Sequence, residues 1–241
     1  MNEPEKYPTM SEREKYLFDL QGFLVVRDFL SAAEVKNLND ALDANPHKRG
    51  EYGKPNVLSG KWQGKPLEGQ FSPFRHYSGM LTWEPPWCQP FRDLLAHRKL
   101  IPSLNPLMGR GWKLDHGVDV LTSTAGAEGL RLHGSGNVTF NGSRFYAYQN
   151  GTMRCGLIVC QYYLTDVNPG GGGLCVIPGS HKANLSCPQD ILTWEANREI
   201  VYHIPLSAGD LVIFNHDTYH ASFGGGKQRR MFTLNLTRNC K

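Results

Sequence analysis

The chain has 241 residues, 40% of them hydrophobic and 20% charged, with a formal net charge of +4. That is enough apolar material for one good core, so a single domain spanning 1–241 is expected. Charges of both signs are scattered without a basic block, which argues against a nucleic-acid partner, and no apolar run approaches membrane-spanning length, which argues against a membrane partner. The six cysteines form no CxxC pair, and three of them lie inside apolar runs, where a thiol behaves as a small hydrophobe. The start, Met1 to Lys6, is charged and opens no apolar signal region. Both features lead us to expect a cytoplasmic protein. The Asn-x-Ser/Thr triplets beginning at Asn137, Asn141, Asn150, Asn184 and Asn235 then read as chance occurrences.

In chain order, Ser11-Glu12-Arg13-Glu14 has the form of a capping box, followed by Tyr16, Leu17 and Leu20 at helical spacing and Gly22 as a stop. Phe23 to Val26 reads as a strand. Ser31 to Glu34 caps a second helix carrying Val35, Leu38 and Leu42 on one face. Residues 45 to 90 mix prolines and glycines with Tyr52, Trp62, Phe71, Phe74, Tyr77, Trp83 and Trp87 and show no period. Such a stretch is either a lid over a substrate or an irregular layer packed on the core. Phe91 to Leu100 has helical spacing.

From Trp112 the period changes to two. Strands are expected at Trp112–Leu121, Gly129–His133, Phe145–Tyr148, Arg154–Leu164, Gly173–Ile177, Ile200–Ile204, Asp210–Phe214 and Met231–Arg238. So many short strands with Gly-rich turns predict a mainly β fold with packed helices, whose core over 112–238 is a double-stranded β-helix (a cupin-like jelly roll). Residues 1–111 then supply the helices and the aromatic loop region outside it. The Gly170–Gly173 run lacks the Lys-Ser/Thr and helix of a phosphate-binding loop and reads as a turn.

Chemistry enters at His133, where an alternating run opens into the loop Gly134-Ser135-Gly136, the place where a rigid strand presents a ligand at a barrel mouth. A second histidine, His220, follows a late strand, and the pair Arg229/Arg230 lies shortly beyond. Two neutral imidazoles suit a ferrous ion that keeps open positions for a chelating co-substrate and dioxygen. A guanidinium suits the far carboxylate of such a co-substrate. Strand alternation lets one arginine point inward, and Arg229 shares its face with Met231, Thr233 and Asn235, a mixed-polarity lining, whereas Arg230 shares with Phe232, Leu234 and Leu236. Ser222 could add a hydroxyl to the same carboxylate.

Gly22 to Leu30, Leu164 to Val167 leading to Gly172-Gly173-Leu174-Cys175-Val176-Ile177-Pro178-Gly179-Ser180-His181-Lys182, Ala208 to Leu211, and the segment from His220 to Arg229 resemble the phytanoyl-CoA dioxygenase family. The resemblance runs from about Tyr16 to Arg238, and Pro178 to Lys182 is its most specific part. It implies a non-haem Fe(II), 2-oxoglutarate-dependent oxygenase, with His133 and His220 as iron ligands and Arg229 or Arg230, helped by Ser222, holding 2-oxoglutarate. His181 matches a position that the family does not use for metal and reads as a turn-shaping residue.

One departure stands out. The family's His-x-Asp motif is here His133-Gly134-Ser135, and a neutral serine hydroxyl is a poor iron ligand. Ser135 is therefore the position on which the reaction turns. Chloride or bromide could take the place of the missing carboxylate, as in halogenases. A carboxylate could arrive from Asp115, Asp119, Glu128 or Asp217. Water could complete a hydroxylating site, or the site could bind without turnover. His216, four residues before His220, reads mainly as a neighbouring structural group, Asp115-His116 as an interior strand pair, and Gln161 as an amide that either reaches the co-substrate or is satisfied in the barrel wall. The expected function is radical C–H hydroxylation of a small organic molecule, with a halogenase and a non-catalytic cupin-like binding protein as alternatives.

Overall fold

The computed structural model describes residues 9–51, 61–62, 65–66, 75–123, 130–136, 138, 141–168, 172–192, 198–223 and 229–238. The chain begins with α1 (Glu12–Gln21), β1 (Phe23–Val26) and α2 (Ala32–Asp43), followed by short strands β2 (Arg49–Glu51), β3 (Lys61–Trp62), β4 (Lys65–Pro66) and β5 (Arg75–Ser78). Then come α3 (Gln89–Leu94), α4 (Ile101–Met108), β6 (Lys113–Ser123), β7 (Leu130–His133), β8 (Tyr146–Gln149), β9 (Thr152–Cys155) and β10 (Leu157–Tyr163). The last elements are β11 (Gly173–Val176), α5 (Gln189–Leu192), β12 (Tyr202–His203), β13 (Leu211–Asn215), β14 (His220–Phe223) and β15 (Arg229–Thr237).

Two antiparallel sheets carry the fold. The larger has the order β1-β13-β10-β15-β6-β5-β2 and the smaller β12-β11-β14-β7. Alternation along the central strands sorts their side chains. Cys160 and Tyr162 of β10, Ile213 of β13, and Phe232, Leu234 and Leu236 of β15 pack with Phe18, Leu38, Leu42, Phe91 and Leu104 of the helices. The opposite face sends Val159, Val212 and Phe214 against Leu174 and Val176 of the smaller sheet. Each large apolar side chain buried in this way stabilises the fold by about 1.5–3 kcal/mol. This is the mainly β jelly roll with packed helices that the period change predicts.

Both capping boxes form. Ser11 accepts from the Glu14 amide and Ser31 from the Glu34 amide, while each glutamate reaches back to its own cap. The helix expected at 91–100 is shorter, α3 ending at Leu94; a 3-10 turn takes Arg98–Leu100, and a further helix, α4, follows from Ile101. Pro102 sits in the first turn of α4, where its missing N–H costs nothing, so a proline that looks like a breaker opens the helix. The single strand expected at 154–164 divides at Gly156, where a Cβ would lie 2.7 Å from the Ser143 carbonyl oxygen. Ile200–Ile204 keeps two strand residues, and the aromatic region contributes β5, which pairs with β6.

Tyr77 and Trp83 of that region are buried and meet edge to face, Trp83 against Phe91 in turn, so they are core and not lid. Tyr52, Phe71 and Phe74 lie outside the described residues, as do Gly170 and Gly171. Among the described residues, no helix is long and apolar enough to cross a membrane.

Candidate active site

His133 ends β7 and His220 begins β14, and the two are direct partners across the ladder. Cross-strand partners project to the same face, so their rings meet at the mouth of the barrel with centroids 4.1 Å apart. The Nδ1 of His220 donates to the Thr218 carbonyl oxygen at 2.7 Å, which leaves Nε2 as the nitrogen free to bind. Burial, followed by the neighbouring His133, pushes the His220 pKa well down and keeps the ring neutral.

Both imidazoles line a cavity of about 630 Å³ between the sheets. At its far end, β15 presents Arg229, which is buried. Its Nε donates to Ser123 Oγ at 2.8 Å and its Nη1 to Ser222 Oγ at 3.4 Å. Its Nη2 is buried without a hydrogen-bond partner. Burial pulls the guanidinium down to about 10, so it remains charged at neutral pH. A buried guanidinium that meets two hydroxyls and, among the described residues, no carboxylate suits an incoming anion. Gln161 and Tyr163 line the cavity between the two ends, with the Tyr163 hydroxyl donating to Gln161 Oε1 at 3.0 Å.

Arg230 does not belong to this cavity. Its Nη1 donates to Asn39 Oδ1 at 2.9 Å and its Nη2 to Asp43 Oδ1 at 2.5 Å, so it ties β15 to α2. Reading either arginine as a co-substrate ligand therefore narrows to Arg229, because the two residues project to opposite faces of the strand.

The carboxylates considered for the metal lie as follows. Ser135 Oγ donates to Asp217 Oδ1 at 2.5 Å, and Asp217 is 2% exposed; neither residue lines the cavity. Burial raises the Asp217 pKa against the opposing effect of the Ser135 hydrogen bond. Asp115 pairs with Nδ1 of His116. Both are exposed, which corrects the expectation of an interior pair; His116 lies at the cavity mouth, opposite Asn235 after a register shift in the β6–β15 ladder. Asp119 lines the cavity wall, and Glu128 lies outside the described residues. Among the described residues, no three His, Cys, Asp or Glu side chains are gathered to hold a metal.

A family model described as phytanoyl-CoA dioxygenase (PhyH) matches residues 18–231. The chain belongs to this family. No curated protein sequence matches it. Among solved structures, HygX from Streptomyces hygroscopicus with nickel, 2-oxoglutarate and hygromycin B bound is 19% identical, with a TM-score of 0.75 over 95% of this chain and 88% of that one. EctD from S. alaskensis, with 2-oxoglutarate and 5-hydroxyectoine, is 20% identical, with a TM-score of 0.66 over 98% of this chain and 79% of that one. The alpha-ketoglutarate-dependent epimerase SnoN from nogalamycin biosynthesis is 18% identical, with a TM-score of 0.64 over 94% and 82%.

Within the family frame, Ser123 and Tyr163 of the cavity escape a reading by motif. Ser123 is found through the ladder, as the β6 residue opposite Arg229. Tyr163 follows Gln161 by two and shares its face. His216 lines the cavity with its ring 6.1 Å from that of His220, and burial, then Arg144, lowers it to about 4. His181 is fully buried against Tyr146 and Phe18 in the 3-10 turn Ser180–Lys182, away from the cavity.

Proposed function

We propose that this protein is an Fe(II)- and 2-oxoglutarate-dependent oxygenase that hydroxylates a C–H bond of a small organic molecule. The observation that carries the reading is the unpartnered, buried Nη2 of Arg229 at one end of a cavity whose other end holds two paired imidazoles. His133 and His220 would hold the iron. Arg229, with the hydroxyls of Ser123 and Ser222, would hold the distal carboxylate of 2-oxoglutarate. When bound, iron and 2-oxoglutarate supply the oxidising chemistry, with dioxygen as oxidant and succinate and carbon dioxide as by-products.

The protein's own work is positional. Thr218 fixes the His220 tautomer, Gln161 and Tyr163 line the path between the two ends, and Leu121, Val159, Leu174, Phe214 and Met231 keep the centre apolar. Apolar walls exclude water from a reactive centre. The part of the cavity lined by His116, His216 and Asn235 would take the substrate. The structural neighbours solved with hygromycin B and 5-hydroxyectoine support a small-molecule substrate.

A second reading, halide transfer, is favoured by one observation: no third His, Cys, Asp or Glu side chain joins the two imidazoles among the described residues. Chloride or bromide could then occupy that position. The test is iron- and 2-oxoglutarate-dependent succinate release, measured with and without halide over a panel of small polar molecules. Release without halide, together with a hydroxylated product, is the expected result. A halogenated product moves the assignment to halide transfer. Metal and 2-oxoglutarate binding without succinate release would leave a cupin-like binding protein, and failure to bind iron would sink both catalytic readings.

A further inference from the structure

We propose that Ser135 is a positioning residue, whose hydroxyl clamps the buried carboxylate of Asp217 and thereby holds the loop behind His133 against the turn that carries His220. Position 135 is then an occupied joint and not a vacated ligand position. The inference rests on the reading of His133 and His220 as metal ligands.

The joint has three parts. Ser135 Oγ donates to Asp217 Oδ1 at 2.5 Å. One residue on, the Gly136 amide donates to the Asp217 carbonyl oxygen at 3.0 Å. One residue back, Gly134 lies so close to the turn that a Cβ there would come within 2.7 Å of the Tyr219 Cα and 3.0 Å of the Thr218 carbonyl oxygen. Three consecutive residues after His133 thus touch three consecutive residues before His220.

The turn is braced from its other side, where the Asp217 amide donates to Asn215 Oδ1 at 2.9 Å and Asn215 Nδ2 donates to the Phe145 carbonyl oxygen at 3.2 Å. Thr218, between Asp217 and His220, holds the His220 ring. A chain of contacts therefore runs from Ser135 through Asp217 and Thr218 to the His220 imidazole, and losing a group that orients a ligand histidine costs about 10–100-fold in metal affinity.

The same geometry says what an aspartate at 135 would meet. Its carboxylate would grow from the Cβ that now carries a hydroxyl bonded to Asp217, so two anions would face each other in place of a donor and an acceptor. Among the described residues, Arg144, on the exposed loop before β8, is the positive charge that acts on Asp217. Restoring the His-x-Asp pattern here would open the joint.

The experiment is anaerobic Co(II) titration of the full-length protein, read by calorimetry and by the visible absorption of the bound ion, with melting curves on each variant. Ser135→Ala is expected to weaken Co(II) binding about tenfold and to change the absorption band, the scale on which groups orienting a ligand act. Asp217→Ala should do the same, with the double variant no worse than either. Ser135→Thr, which keeps the hydroxyl, should bind like the parent, and Ser135→Asp should bind more weakly.

Unchanged affinity and spectrum in Ser135→Ala overturn the proposal, as does a lowered melting point with both intact. Tighter binding by Ser135→Asp overturns it too, because that residue would then be acting as a ligand. Failure of the parent protein to bind Co(II) strikes instead at the reading of the two histidines.

Discussion

The two ends of the cavity are built on opposite plans. At the arginine end, a fully charged group is buried and held by hydroxyls from two other strands, with one nitrogen left over. At the histidine end, His133 is exposed, the Thr218 carbonyl holds the buried His220 ring, and the loop after His133 meets the turn before His220. On the proposed reading, the arginine end is prepared for one carboxylate and bears the cost of a buried charge with an unpartnered nitrogen until the anion arrives. The histidine end depends on how well two loops are held together. A preformed pocket at one end and a jointed one at the other predicts that the two respond differently to substitution.

The largest effect is expected at Arg229. Arg229→Met removes a buried, charge-assisted contact, which is worth about 3 kcal/mol, or about 100-fold in 2-oxoglutarate affinity. The ligand-free protein should not lose stability in step, since the unpartnered charge has gone as well; its melting point should hold or rise. Calorimetric titration with 2-oxoglutarate and Co(II), beside melting curves without ligand, gives both numbers. Undiminished 2-oxoglutarate binding would mean that this end of the cavity is not the anion pocket.

The arginine end was also the more legible in sequence. Alternation along residues 229–237 separates Arg229, Met231, Thr233 and Asn235 from Arg230, Phe232, Leu234 and Leu236, and the structure lines the cavity with the first set and packs Phe232, Leu234 and Leu236 into the helix-side core. The partner of Arg229 was hidden, because finding Ser123 requires knowing which strands pair and in what register. His133 could be picked out as the end of a strand, whereas His220, read as following a strand, begins β14, which the sequence reading did not include; the Ser135–Asp217 contact joins a loop to a turn, where no period operates. Likewise α4 was masked by Pro102 and Pro106, and β5 by its aromatic neighbours. Local periodicity shows which face a side chain takes; it does not show what waits across the gap.

His181 separates the fold from the site, since it lies outside the cavity but in the stretch that most clearly marks the family. Its two ring nitrogens are buried without partners, and a Cβ at Gly22 would lie 2.5 Å from its Nδ1. Burial, then Lys182, lowers it to about 4 from 6.5, against the opposing pull of Asp19. Between those values the unfolded chain binds the proton that the folded one refuses, so stability is full above pH 6.5 and falls as the pH drops towards 4. The loss attributable to this ring is about 3 kcal/mol. Denaturant unfolding across that window should be steeper in pH for the parent than for His181→Phe. Equal slopes would mean that the ring is solvated in the folded state.

The smallest effect is expected one residue from the largest. Arg230→Ala removes the contacts to Asn39 and to Asp43, whose side chain is 62% exposed, and solvent-screened pairs of this kind contribute up to about 1 kcal/mol. The Arg230 amide still donates to Thr165 Oγ1 at 3.0 Å, so the strand keeps its place whatever the side chain does. Stability should fall slightly, with 2-oxoglutarate and Co(II) affinities unchanged. If instead Arg230→Ala weakened 2-oxoglutarate binding as much as Arg229→Met, the guanidinium would be acting through the strand itself. The contrast between a prepared pocket and the scaffold behind it would then not hold, because both faces of β15 would be serving the cavity.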